Sequence, residues 1–358
     1  MRVLFIVRPS VYERGGGDMT QALFTKRGLE EAGVHVDLAA SLEPDARGYD
    51  VAHVFGVFDP EIAEPQMAAC KRAGVPVALS PIWWDLYAFF GHSRACNRIM
   101  SGSERHIEER LERLGTTPSH RLLRRNETRK YHDRIKLQTR LMRAADVLLP
   151  NSYIDARHYF HQLRLEDRPT VVVPNPVDVP QPNPPSGPRS GIVCAARIEE
   201  KKNQAILLYA LRDLDVEITL IGGSHQPEYM DICKRWIRPN VRVLGNVPHE
   251  ETLRIMTRSA VHVLPSWAEI PGISSLEAAA AGARVIVSNN GTEVEYFGEL
   301  ADYVDPEDPR GIRAAVERAL SRPAREPGDA LYRKLEAYSV AQVAERTLAG
   351  YRLALAPF

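Results

Sequence analysis

Short apolar runs rich in β-branched residues recur along the chain, at 3–7, 34–40, 51–55, 75–79, 147–150 and 171–174 in the first half. The second half repeats them at 192–196, 216–221, 241–244, 261–264 and 285–287. Amphipathic stretches such as 19–32 and 60–73 separate them, with apolar positions at helical spacing. Runs this short and this uniformly apolar read as strands buried on both faces. Alternation of such strands with helices predicts parallel sheets covered by helices on each side. Between the two halves, seven prolines fall within the fifteen residues 174–188, which neither a helix nor a central strand tolerates. The pattern therefore predicts two doubly wound α/β domains: an N-terminal domain over 1–175, a stiff linker over 176–190 and a C-terminal domain over 191–340. A last helix over 341–358 is expected to pack back on either domain.

Composition narrows the functional classes. At 358 residues the chain is long enough for two cores, and 46 Lys+Arg balance 46 Asp+Glu, which removes the global basic excess expected of a nucleic-acid binder. No apolar run is long enough to span a bilayer, and the 3–7 run is too short for a signal peptide, so a cytoplasmic location is expected. Four scattered cysteines, Cys70, Cys96, Cys194 and Cys233, show neither metal-binding nor staple spacing and read as reduced thiols. One local departure stands out: residues 121–143 hold nine Lys/Arg against Glu127 and Asp133. A solvated helix face is the plainer account; the functional one is peripheral contact with anionic lipid at the inner face of a membrane. Just upstream, Trp83, Trp84, Tyr87, Phe89 and Phe90 crowd five aromatics into eight residues, suited to packing or to stacking on sugars.

Candidate chemistry sits at strand–helix junctions. Gly15-Gly16-Gly17 precedes a helix, and amides there can close on an anion, although Thr20 and the long approach spoil a dinucleotide fingerprint. A flexible turn is the competing reading. Arg197 ends a strand and Lys202 opens the next helix, a spacing that can clamp a diphosphate. The loop from Pro265 carries Glu269 and Pro271-Gly272 and then an alanine-rich helix, so a helix start falls at the carboxyl end of a strand. Glu277 also completes Ser274-x-x-Glu277, a potential capping box. Asp213-x-Asp215 has the form of a metal motif but lies at the wrong end of a strand, and no metal or cofactor is expected.

Together these elements resemble the retaining glycosyltransferases of the GT-B fold, specifically glycosyltransferase family 4. The likeness is carried by Glu269-x7-Glu277, Arg197…Lys202-Asn203, Pro174-Asn175-Pro-Val177-Asp178, Val241-Arg-Val-Leu-Gly245-Asn-Val-Pro248 and Asn290-Gly291-Thr-Glu293. It implies two Rossmann-like domains facing each other across a cleft. It implies a metal-independent hexosyltransferase that moves a sugar from a nucleoside-diphosphate sugar to a glycan, polysaccharide or lipid-linked acceptor. Under it, Arg197, Lys202 and Glu269 are catalytic. Gly16 and Gly17 meet phosphate, Gly245, Asn246 and Val247 face the base, Gly272 and Ile273 offer amides, and Glu277 takes the ribose. Many members place a histidine after the fourth strand, where this chain has Ser80-Pro81-Ile82-Trp83-Trp84-Asp85. His53, Trp84, Asp85 and His92 are the acceptor-side candidates. A sugar-nucleotide 2-epimerase of the same fold, or a non-catalytic sugar-nucleotide-binding subunit, is the alternative.

Overall fold

The computed structural model describes residues 1–13, 16–178, 188–323 and 330–356. Its first stretch runs β1 Arg2–Val7, α1 Gly17–Glu31, β2 His35–Ala40, β3 Val51–Phe55, α2 Pro60–Arg72 and β4 Val77–Ser80. Then come α3 Tyr87–Ser101, α4 Ile107–Gly115, α5 Arg125–Ala144, β5 Val147–Leu148 and α6 Tyr153–Leu163. Beyond the linker follow β6 Ile192–Ala195, α7 Gln204–Ala210, β7 Ile218–Ile221, α8 Pro227–Lys234, β8 Val241–Val243 and α9 His249–Arg258. The chain ends with β9 Val261–Leu264, α10 Ile273–Ala280, β10 Arg284–Ser288, α11 Glu293–Phe297, β11 Asp302–Val304, α12 Pro309–Ser321, α13 Ala330–Glu336 and α14 Val340–Leu355.

Two compact units result: residues 1–84, 129–178 and 337–358 form the first, and 85–128 with 179–336 form the second. The first holds a five-stranded sheet in the order β2-β1-β3-β4-β5 with every pair parallel. The two-residue period of a strand explains its two apolar layers. Leu4, Ile6, Val54 and Leu79 face one core with Met67 and Tyr159, while Val3, Phe5, Val51 and Leu149 face another with Leu29 and Tyr351. Helix α14 closes that second layer, and Gly28 of α1 makes the contact tight: a Cβ there would stand 2.7 Å from the Val340 carbonyl oxygen. The second unit holds a six-stranded parallel sheet in the order β11-β10-β9-β6-β7-β8.

Three differences from the sequence reading have physical causes. The segment 171–174 runs beside β5 through Val171 and Val173 amides but forms only the isolated bridge Leu148–Thr170, and no strand. Strand β11 is too short and too polar to stand out in the apolar pattern of the sequence. Helices α3 and α4, placed in the N-terminal domain from their position along the chain, cluster with the second unit. Cys96, Ile99, Met100, Ile107 and Leu111 share a core with Leu207, Tyr209 and Trp236. Arg235 donates to the Gly102 carbonyl at 2.9 Å, and Arg310 pairs with Glu108 at 2.5 Å. An amphipathic helix shows which face it buries, not which sheet it covers. Of the proline-rich linker, residues 179–187 lie outside the described residues.

Candidate active site

In the second unit the sequence-predicted residues gather at the carboxyl ends of β6, β7, β8 and β9, where open parallel sheets bind ligands. After β6 the chain passes Arg197, whose half-exposed guanidinium donates to Glu199 Oε1 at 3.3 Å, and makes a single tight turn over Glu200–Lys202. Asn203 ends that turn in the left-handed region (φ 61°), and its side-chain amide donates to the Pro265 and Pro306 carbonyls at 3.2 and 2.8 Å. The Trp267 amide adds a bond to the Lys201 carbonyl at 2.9 Å. These bonds tie the cationic turn to the loop after β9, and Lys202 Nζ forms an ion pair with Glu269 Oε1.

Glu269 is only 5% exposed. Its backbone is bridged in parallel to Gly291, with its amide donating to Asn290 O at 3.3 Å and its carbonyl accepting from the Thr292 amide at 3.1 Å. Burial pushes its carboxyl up, but Lys202 and Lys201 more than offset this and hold it below the usual carboxylate range. Glu293 lies beside it, first in α11 and fully buried, with Oε1 accepting from the Gly272 amide at 3.4 Å. Burial first and the Glu269 charge second push the Glu293 carboxyl up to about 8.

Gly272 caps α10, so the helix begins at Ile273 and Glu277 sits on its second turn. The Ser274–Glu277 capping box therefore does not form. Glu277 instead meets His249 Nε2 at 2.8 Å, and that histidine, first in α9, has no motif around it that would mark it in the sequence. At the neighbouring strand ends Gly245 takes φ 67° and its carbonyl accepts from the Gly222 amide at 2.8 Å, while Asn246 Oδ1 accepts from Gly223 at 2.7 Å. A Cβ at Gly222 would stand 2.2 Å from the Ala196 carbonyl oxygen, so glycine alone allows this closeness to β6. Val247 packs beside the core formed by Val193, Ile221 and Ala278.

The other candidates are dispersed. Gly16 and Gly17 head α1 in the first unit, next to an Arg8–Asp18 ion pair of 2.7 Å, and Gly15 lies outside the described residues. His53 is a correction: it is 1% exposed in the middle of β3, bonded to Ser80 Oγ at 2.9 Å and Tyr351 Oη at 2.7 Å. Burial pushes its pKa down to about 3, so it is a neutral structural imidazole out of reach of an acceptor. Trp84 stacks on His158 in the first unit, while exposed Asp85 accepts from the Tyr87 amide at 2.8 Å. His92 lies on α3 in the second unit, 2.6 Å from Glu307, and not on the acceptor-side domain that the sequence suggested. Asp213 and Asp215 occupy the turn before β7, and among the described residues no cluster of His, Cys, Asp or Glu is arranged around a metal position.

Comparison with known proteins agrees with this geometry. Residues 180–338 match the family of glycosyl transferases group 1, and so carry a domain of that type. Over 149 residues the chain is 31% identical to a glycogen synthase of Mycobacterium tuberculosis, covering 38% of this chain and 36% of that one. Over 242 residues it is 28% identical to the MMP alpha-(1->4)-mannosyltransferase of Mycolicibacterium hassiacum, covering 64% and 59%. The chain thus spans about a third of the length of the first curated relatives it matches. In structure it is similar to a sucrose-phosphate synthase from Thermosynechococcus elongatus, with TM-score 0.72, 15% identity and 98% of each chain covered. It is also similar to Anabaena HepE in complex with UDP and glucose, with TM-score 0.68, 15% identity and 98% coverage of each. Two parallel-sheet units with these neighbours make the fold GT-B.

Proposed function

We propose that the protein is a retaining glycosyltransferase of family 4 type, moving a hexose from a nucleoside-diphosphate sugar to a hydroxyl of a glycan or lipid-linked acceptor in the cytoplasm. The observation that carries this reading is the Lys202–Glu269 ion pair, with its carboxylate buried and its ammonium partly exposed, in the loops at the carboxyl end of the sheet that also carry Arg197. A diphosphate gains charge as it leaves, so cations aimed at it favour the transition state over the ground state. In this role Lys202 and Arg197 neutralise the departing diphosphate without needing a metal. Glu269 accepts from hydroxyls of the transferred sugar near the start of α10 at Gly272 and Ile273, and Glu277, steadied by His249, takes the ribose. Main-chain groups of Gly245, Asn246 and Val247 face the base. On the first unit, Gly16 and Gly17 offer amides at the start of α1.

In the free protein Glu269 satisfies Lys202, so the cation is held in place by an internal carboxylate that an incoming diphosphate must displace. The experiment is a thermal-shift panel of UDP, GDP, ADP, CMP and dTDP, with and without Mg²⁺. A ligand at about 100 times its dissociation constant adds roughly 2.7 kcal/mol, a clear rise in melting temperature. One diphosphate standing out with or without Mg²⁺ supports the donor site and names its base. Silence from all five would refute it.

A further inference from the structure

The Asn290-Gly291-Thr-Glu293 turn after β10 places a second carboxyl inside the site that the proposed reaction leaves unused. Glu293 is 1% exposed, and its two oxygens are unequal: Oε1 accepts from Gly272, while Oε2 is buried with no hydrogen-bond partner. A Cβ at Gly291 would stand 2.3 Å from Oε2 and 2.5 Å from the Glu269 carbonyl oxygen. Glycine at 291 thus leaves room for the Glu293 carboxyl and the Glu269 carbonyl to lie against its backbone. The charged and titratable groups facing Glu293 are Glu269 from the loop after β9, Lys202 from the turn after β6 and Tyr303 from β11. Glu269 has Lys202 as its direct partner, and among the described residues Glu293 has no ion-pair partner. Two carboxyls this close cannot both ionise cheaply, and the one without a cation keeps its proton.

We propose that Glu293 is a positioning residue of the donor site, holding the Gly272 amide, and with it the start of α10, in place as a protonated, uncharged acid. The idea rests on the donor-site reading above for its functional consequence, but not for its protonation. An uncharged acid accepts from Gly272 through its carbonyl oxygen and leaves Glu269 as the sole negative partner of Lys202. Ionised, it would set a second buried charge against Glu269, loosen the loop and move the sugar-facing carboxylate. The elevated pKa of Glu293 agrees with this arrangement.

The test compares wild type with Glu293→Gln, which keeps the shape without the charge, and with Glu293→Ala. In the free protein, infrared spectra near neutral pH should show a buried carboxylic-acid band that disappears in E293Q. Wild-type melting temperature should fall as pH rises from about 5 toward 9 more steeply than that of E293Q, because the folded acid holds its proton where the unfolded one has lost it. With the diphosphate from the panel, E293Q should bind within a few-fold of wild type, whereas E293A should lose on the order of 10- to 100-fold as the loop shifts. A band that persists in E293Q, an equal pH slope in both proteins, or E293Q binding as poorly as E293A would overturn the proposal. If no nucleotide binds even to wild type, the donor-site reading fails, while the two free-protein measurements still decide the state of Glu293.

Discussion

Replacing Lys202 by Met removes the cation that Glu269 faces and keeps much of the volume of the side chain. The carboxyl then loses its ion-pair partner and keeps the field of Lys201: it is almost wholly buried, with Glu293 beside it and the amide–carbonyl bridge to Gly291 fixing its backbone. Breaking a buried pair from one side costs about 3–5 kcal/mol when the remaining charge stays ionised. Protonation limits that loss. Taking 4.5 as the ordinary glutamate value, carrying a proton at about pH 7.5 costs (7.5 − 4.5) × 1.36, or about 4 kcal/mol, and at about pH 5.0 only about 0.7 kcal/mol. The sign follows from linkage: in K202M the folded pKa of Glu269 lies above its unfolded value. The folded mutant is therefore stable relative to wild type below the unfolded pKa and loses ground as pH rises. Glu269→Gln should be milder, about 1 kcal/mol at either pH, because Lys202 is partly exposed and can turn its ammonium to water. The double variant should recover most of the K202M loss. Urea unfolding followed by hydrogen exchange at amides of β9 and α10 reads this locally. A K202M loss that is the same at both pH values, or E269Q as damaging as K202M at about pH 7.5, would refute the reasoning.

Two other predictions concern features away from the donor site. Gly28→Ala should destabilise the first unit despite a helix-propensity gain of about 1 kcal/mol, because the new Cβ would stand 2.7 and 2.8 Å from Val340 atoms and 3.0 Å from Ala344 Cβ. Thermal melts showing it neutral or more stable would mean that α1 and α14 are not so closely packed. In the basic stretch Arg134 pairs with Asp59, Lys136 with Asp133 and Arg140 with Glu64, while Arg121, Arg124, Arg125, Arg129 and Lys130 are exposed. Removing those five charges should abolish salt-sensitive sedimentation with anionic vesicles, and equal sedimentation with neutral vesicles would defeat the membrane reading.

The strands and their parallel pairing were legible in the sequence because burial on both faces demands unbroken apolar runs. The tie between Lys202 and Glu269 was legible only as spacing, since each residue sits in a loop fixed by the end of its own strand. Local chemistry misled where two local solutions competed. Ser274-x-x-Glu277 reads as a cap, but Gly272 caps the helix two residues earlier and His249 claims Glu277 from a different element. His53 in a strand and His92 in a helix look equally available along the chain, yet one is sealed between Ser80 and Tyr351 and the other is paired with Glu307.

What the sequence alone determined is therefore whatever repeats within a few residues: strand and helix periods, the glycine and proline breaks, and the order of charged groups at strand ends. Tertiary structure decided which sheet α3 and α4 cover, which histidines are shut away, and that Glu293 meets Glu269 closely enough for one of them to keep a proton. Those outcomes depend on contacts between residues distant along the chain, and on a burial cost for charge that arises only when the surrounding elements exclude water.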